Sequence, residues 1–98
     1  MNEFILETVR KHSGLSHTPH GIDGKCRIFR NDLNGALWIS PKPRFGAYDV
    51  ETTGDVASFL DGELTKRFGR HLSENSRGYK LWRIENQKDL DDIIRYFG

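Results

Sequence analysis

The spacing of apolar residues changes several times along the chain, and each change marks a different secondary-structure element. Ile5 and Val9 lie four residues apart, which predicts one buried face of a helix from about residue 3 to about residue 13. Asn2 is suited to cap the beginning of that helix. The following segment, HSGLSHTPHG at 12–21, contains glycine and proline, and we predict that it is a connecting loop.

Three segments in the first half of the chain have the alternating pattern that is typical of strands. They are KCRIFR at 25–30, ALWIS at 36–40 and FGAYDVE at 45–51. The first two are separated by a segment that contains Asn34-Gly35, a dipeptide favoured in tight hairpin turns. We therefore expect these two strands to be antiparallel neighbours.

The second half of the chain predicts a helix, a strand and a final helix. Asp55 is expected to cap the first of these helices, and Gly69 to end it. The strand GYKLWRIE at 78–85 is apolar on both faces, which favours a central position in a sheet. Asn86 is expected to cap the last helix. The apolar stripes of the two helices consist of Val56, Phe59, Leu60, Leu64 and Phe68, and of Leu90, Ile93, Ile94 and Phe97.

The predicted order of elements is therefore α-β-β-β-α-β-α, within a single domain that spans residues 1–98. The economical arrangement is an α+β two-layer sandwich, in which helices pack on one mostly antiparallel four-stranded sheet. Aromatic residues are expected to supply most of the volume of its core. They are Phe29, Trp38, Tyr48, Phe59, Phe68, Trp82 and Phe97.

Composition limits the class of protein and its compartment. The 98 residues carry a net charge of only +1 and include one cysteine, so an internal disulfide cannot form. Apolar runs do not approach the ~20 residues that span a membrane. The first residues lack the basic segment of a signal peptide, so we expect a cytoplasmic protein.

The charges are unevenly distributed along the chain. Basic residues predominate in 25–44 and again in 66–83, whereas acidic residues predominate in 45–65. If the fold gathers the two basic segments, they would form a surface that neutralises phosphates, on which exposed Trp38 or Tyr79 would stack bases. The candidate nucleic-acid-binding residues are Lys42, Arg44, Lys66, Arg67, Arg70 and Arg77.

Three of the four histidines lie in the segment 12–21, and the spacing of His17 and His20 suits one pair of metal ligands. A structural zinc site needs a second close pair, which the sequence does not supply. Cys26 is expected to be buried beside Ile28 as a small apolar residue. We therefore expect neither a metal nor a cofactor, with His17 and His20 as the weak candidates for a metal site.

One pattern points to an enzyme. Asp32 precedes the second predicted strand, and Asp49 and Glu51 lie on one face of the third. The order α-β-β-β-α-β with acids at these places resembles the core of restriction-endonuclease-like nucleases, in which divalent metal ions bind between such carboxylates. Glu51 stands where that family has lysine. The resemblance implies that the three carboxylates converge on a metal ion.

The sequence thus leaves three hypotheses for the function. The leading one is a small non-enzymatic binding or protein-interaction module, whose partner is a protein, a small ligand or a second copy in a homodimer. The first alternative is a nucleic-acid-binding domain that uses the basic residues. The second is a metal-dependent nuclease-like domain built on Asp32, Asp49 and Glu51.

Overall fold

Six strands form one antiparallel sheet in the computed structural model, which describes residues 3–21 and 24–98. The strands are β1 (Leu15–Pro19), β2 (Cys26–Arg30), β3 (Leu37–Lys42), β4 (Ala47–Thr52), β5 (Ser73–Glu74) and β6 (Lys80–Ile84). They lie in the order β1-β2-β3-β4-β6-β5. The helices are α1 (Glu3–Arg10), α2 (Gly54–Phe68) and α3 (Gln87–Phe97), and a short 3-10 helix (Pro43–Phe45) joins β3 to β4.

The predicted α+β class with helices packed on an antiparallel sheet is confirmed, but the prediction of four strands is wrong. The first additional strand, β1, lies inside the histidine segment that was expected to be a loop, and it pairs with β2 along its whole length. Its buried apolar residue is Leu15 alone, so it shows no alternating pattern. The second, β5, has only two residues, which are too few to show any period.

One face of the sheet forms the core together with the helices. Residues that pair across strands share a face, so Ile28, Ile39, Val50 and Trp82 all point to the same side. All three helices bury apolar side chains in the same cluster. Each fully buried leucine or isoleucine contributes about 1.5–3 kcal/mol relative to an exposed one. The helical members of this cluster are Ile5, Val9, Val56, Leu60, Leu64, Leu90, Ile93, Ile94 and Phe97.

The other face of the sheet is not used by the core, and we call it the open face. Trp38 lies on it because its neighbours in β3, Leu37 and Ile39, are both fully buried on the opposite side. Phe29 lies on it for the same reason, next to buried Ile28. The expectation that Trp38 and Phe29 fill the core is therefore wrong. Other strand residues of the open face are Ser16, Thr18, Arg27, Ser40, Lys42, Ala47, Asp49, Glu51, Leu81 and Arg83.

The ends of the helices agree with the sequence only in part. Asn86 caps α3 as predicted, because its side chain accepts a hydrogen bond of 2.8 Å from the backbone N–H of Asp89. Asp55 does not cap α2, and its carboxylate instead accepts a hydrogen bond from the backbone N–H of Asn34. Helix α1 ends at Arg10 rather than near residue 13. The predicted cap Asn2 lies outside the described residues.

The turn between β2 and β3 is held against the start of α2. Gly35 has a φ of +88°, but Asn34 does not have a positive φ, so the predicted two-residue tight turn is absent. The backbone N–H of Thr53 donates to Ala36 (3.1 Å), and that of Val56 donates to Asn34 (3.2 Å). A Cβ on Gly35 would lie only 2.0 Å from the carbonyl oxygen of Thr53. Glycine is therefore required here by close backbone approach as well as by φ.

We predict that Gly35→Ala lowers the free energy of unfolding by more than about 2 kcal/mol, because the methyl group displaces the turn from α2. Gly62→Ala is the matched control, since Gly62 lies in α2 with open space around it. That substitution should stabilise the protein by about 0.5–1 kcal/mol through helix propensity. Urea unfolding measures both changes. Equal stability of Gly35→Ala and the unsubstituted protein would contradict the packing described above.

Candidate functional site

The register of the strands builds a row of side chains across the open face. Arg27 of β2 pairs with Trp38 of β3, and Trp38 pairs with Glu51 of β4. The row continues to Thr18 on one side and to Leu81 on the other. A cation, an aromatic ring and a carboxylate therefore lie next to one another on adjacent strands near the middle of the sheet.

Two cations and a histidine surround the indole of Trp38. The guanidinium carbon of Arg27 lies 5.0 Å from the centre of the Trp38 ring and 5.4 Å from that of Phe29. The Nζ of Lys25 lies 5.3 Å from the Trp38 ring, and the ring of His20 meets it edge-on at 5.0 Å. Cation–π contacts at such partly exposed sites contribute about 0.5–1 kcal/mol each. We call these five residues the Trp38 cluster.

A cleft of about 380 Å³ opens beside Trp38 and Glu51. Its far wall is the turn that precedes β6, which presents Asn75, Arg77 and Tyr79. The side-chain oxygen of Asn75 accepts hydrogen bonds from the backbone N–H groups of Arg77 (2.9 Å) and Tyr79 (3.0 Å). This Asx turn holds the wall in place, so the cleft is formed by two separately ordered elements.

The next row of the open face contains an ion pair. Arg83 donates two hydrogen bonds to the carboxylate of Asp49, at 2.8 and 3.2 Å, and Asp49 is only 8% exposed. The carboxylate raises the pKa of the Arg83 guanidinium through these hydrogen bonds. The guanidinium also lies 4.6 Å from the centre of the Phe45 ring. Asp49 is thus neutralised by Arg83, whereas the side-chain carboxylate of Glu51 has no ion-pair or hydrogen-bond partner within 3–21 and 24–98.

The three carboxylates of the nuclease hypothesis do not converge, and that prediction is wrong. Asp32 lies in the turn after β2 and pairs with Arg30 at 2.8 Å, whereas Asp49 and Glu51 lie on the open face of β4. No group of three histidine, cysteine or acidic residues that could hold a metal ion exists among the described residues. Arg30 pairs with Leu15 on the buried face and donates to the carbonyl of Phe97, so its ion pair with Asp32 lies away from Asp49 and Glu51 on the open face.

The six basic residues predicted to bind nucleic acid are placed on different parts of the molecule. Lys42 ends β3 on the open face, and Arg77 lies on the wall of the cleft, at the opposite end of the sheet. Lys66 and Arg67 lie in the last turn of α2, where Arg67 pairs with Glu63 at 2.6 Å. The remaining two are Arg44, in the 3-10 helix, and Arg70, after α2. The structure therefore does not gather the two basic segments into one surface.

The weak candidates for metal ligands also lie apart. His17 pairs with Ile28 on the buried face, and burial lowers the pKa of its imidazole. His20 contacts Trp38 on the open face. Cys26 is buried as predicted, and burial raises the pKa of its thiol to about 11. None of these three side chains is arranged to activate a nucleophile.

Comparison with models of known protein families, with curated proteins and with solved structures finds no match to this chain. No helix in the described ranges is both long enough and apolar enough to cross a membrane. The geometry of the chain itself must therefore carry any functional assignment.

The sequence analysis does not predict the Trp38 cluster or the cleft, although the pattern around Trp38 indicates on which face of the sheet this residue lies. The alternation in ALWIS puts Trp38 opposite two aliphatic residues, which is the pattern of an outward-facing tryptophan. The pairing of Trp38 with Glu51 depends on the register of β3 and β4, which the sequence does not specify.

We predict that the Cys26 thiol does not react with a disulfide reagent in the folded protein, because it is 2% exposed and its pKa is about 11. Modification should follow the fraction unfolded as urea is added, and it should be fast in the fully unfolded chain. Rapid modification without denaturant would contradict the burial of this strand.

A second prediction concerns Asp61 of α2, which accepts a hydrogen bond from the fully buried Thr52. Burial raises the pKa of the Asp61 carboxyl above its ordinary value of 3.8. Folding therefore favours the protonated carboxyl of Asp61. As the pH rises and this carboxyl ionises, the free energy of unfolding falls. Asp61→Asn should raise the free energy of unfolding near pH 7, and this gain should disappear below the ordinary pKa of the carboxyl. A variant that is less stable near pH 7 would contradict this account.

Proposed function

We propose that this chain is a non-enzymatic binding module that holds a single-stranded nucleic acid on the open face of its sheet. The observation that carries the proposal is the Trp38 ring, which lies near the middle of that face with Arg27 at 5.0 Å and Lys25 at 5.3 Å. An aromatic ring bordered by cations is suited to a ligand that combines flat bases with phosphates.

Stacking favours a single strand over a duplex. Trp38 and Phe29 are half-buried, so parts of both rings are available on a sheet face that the helices leave open. Bases expose their faces only where they are unpaired, and stacking on an aromatic side chain contributes about 1–3 kcal/mol per base. The Arg27 guanidinium lies over both rings, so a base that stacks on either ring would displace it, and the displaced cation could then contact a phosphate.

Charge supports the same surface. On the strands of the open face, Arg27, Lys42 and Arg83 stand against the acids Asp49 and Glu51, and Lys25 adds a further positive charge beside Trp38. The whole chain has 15 basic and 14 acidic residues, so the remainder has more acids than bases. The open face thus carries a small excess of positive charge in a nearly neutral protein, and this excess would attract phosphates.

The same observations make an apolar protein partner a weaker fit for the open face, because cations surround its central ring. The exposed large apolar side chains of the described ranges, Phe45, Leu72 and Tyr96, lie on separate elements. The partner-protein and homodimer hypotheses stay predictions. Binding of a protein to this face, with no binding of nucleic acid, is the outcome that would favour them.

We expect the full chain to bind labelled single-stranded RNA and DNA more tightly than duplexes of the same sequence, as measured by fluorescence anisotropy. The affinity should fall with salt, because phosphate contacts release counterions. Trp38→Ala should remove about 1–3 kcal/mol of binding free energy. Lys25→Ala should weaken binding and reduce the salt slope by about one phosphate contact.

Lys66→Ala is the matched control for Lys25→Ala, since it removes the same charge from an exposed position in the helical layer. It should leave both the affinity and the salt slope almost unchanged. Equal effects of the two lysine substitutions, or a flat isotherm at low salt, would rule out the open face as a nucleic-acid site.

A further inference from the structure

We infer that the cleft beside Trp38 selects guanine among the bases. This inference rests on the proposed function, because it assigns a base preference to part of the same surface. It comes from two of the polar residues that line the cleft, Glu51 on the sheet and Asn75 on the turn before β6.

Glu51 supplies acceptors only. Its side chain is half-buried next to Trp38, and its carboxylate lacks an ion-pair or hydrogen-bond partner within the described chain. An ionised carboxylate offers two oxygens side by side, which match a ligand with two adjacent N–H donors. Guanine has this pair on its Watson–Crick edge, namely N1–H and the N2 amino group.

The other bases do not present two adjacent donors to a carboxylate. The corresponding edge of adenine has one amino donor beside a ring acceptor, and that of cytosine has one amino donor beside two acceptors. Uracil and thymine have a single N–H between two carbonyl oxygens. Binding any of these bases would place an acceptor against the carboxylate, which leaves polar groups unpaired and reduces affinity.

Asn75 supplies the complementary donor. Its Oδ1 accepts from the backbone N–H groups of Arg77 and Tyr79, which fixes the orientation of the amide. Asn75 lines the cleft, and its Nδ2 has no hydrogen-bond partner within the described residues, so it can donate to an acceptor such as O6 of guanine. Glu51 and Asn75 together offer two acceptors and one donor, which is the complement of the guanine edge.

The other lining side chains fit the rest of a nucleotide. Trp38 and Tyr79 are aromatic walls on the two sides of the cleft, and Arg77 lies beside them without an ion-pair partner in the described ranges. A base can stack on the rings while the Arg77 guanidinium contacts a phosphate. The volume of about 380 Å³ is in the range of small-ligand sites.

The test compares the four bases in two settings, as free nucleoside monophosphates and as single central bases within a short oligouridine. Binding is followed by fluorescence anisotropy of labelled oligonucleotides and, for the free monophosphates, by isothermal titration calorimetry. We expect guanine to bind on the order of tenfold more tightly than adenine in the oligonucleotide. The same order of preference among the free monophosphates would show that the cleft recognises the base without a chain, as in a free guanine nucleotide.

Two substitutions test the assigned groups. Glu51→Gln replaces one acceptor with a donor, and we expect it to remove most of the preference for guanine. Asn75→Asp keeps an oxygen for the two backbone N–H groups, so the turn is retained, but it removes the donor. It should reduce the ratio of guanine to adenine affinity as well. Glu7→Gln is the control, because Glu7 is an exposed acid of α1 and its replacement should leave that ratio unchanged.

The outcomes separate this inference from the proposed function. If oligonucleotides bind with equal affinity for all central bases, the guanine inference is overturned while the proposed function stands. If guanosine monophosphate binds selectively but no oligonucleotide binds, the proposed function is overturned while the guanine site stands. If nothing binds, both are overturned. A guanine preference that survives Glu51→Gln would also overturn the assignment of Glu51.

Discussion

Burial of one face of the sheet under three helices is the constraint on which the rest of this structure depends. Successive residues of a strand point to opposite faces, so each buried aliphatic residue sends its neighbours to the other side. Leu37 and Ile39 are fully buried, and Trp38 between them must face away from the helices. The open face therefore follows directly from the burial of the other face. Its side chains do not pack in the core, so they are the ones available to bind a ligand.

The elements that the sequence predicts correctly are those in which the spacing of apolar residues repeats over several turns. The stripe of α3 and its cap at Asn86 are as expected, because a helix of 11 residues shows three turns of the same period. The sequence does not predict β1, because its pairing with β2 is made by backbone hydrogen bonds and its side chains do not alternate between apolar and polar. The alternation of residues 36–40 indicates that Trp38 faces away from the core. The prediction instead places it in the core, because large aromatic side chains usually supply core volume.

The candidate site was harder to predict because it depends on pairings between distant segments. Asp49 and Glu51 look equivalent in the sequence, yet Arg83 neutralises Asp49, while the carboxylate of Glu51 has no partner in the part of the chain that the structure describes. Basic residues that form blocks along the chain are separated by the fold, and Lys25 and Arg27 are brought together over the ring of Trp38. Register, which the sequence does not encode locally, decides each of these outcomes.

The most direct test of the account is to follow both indole N–H signals by NMR while a guanine-containing oligonucleotide is added. Trp38 lies on the open face, whereas Trp82 is buried and donates to the carbonyl of Gly69 at 3.0 Å. We predict that the Trp38 signal and the backbone signals of Arg27 and Glu51 shift, while Trp82 stays in place. Shifts confined to the helices, with Trp38 unaffected, would contradict the central claim that the open face is the binding surface.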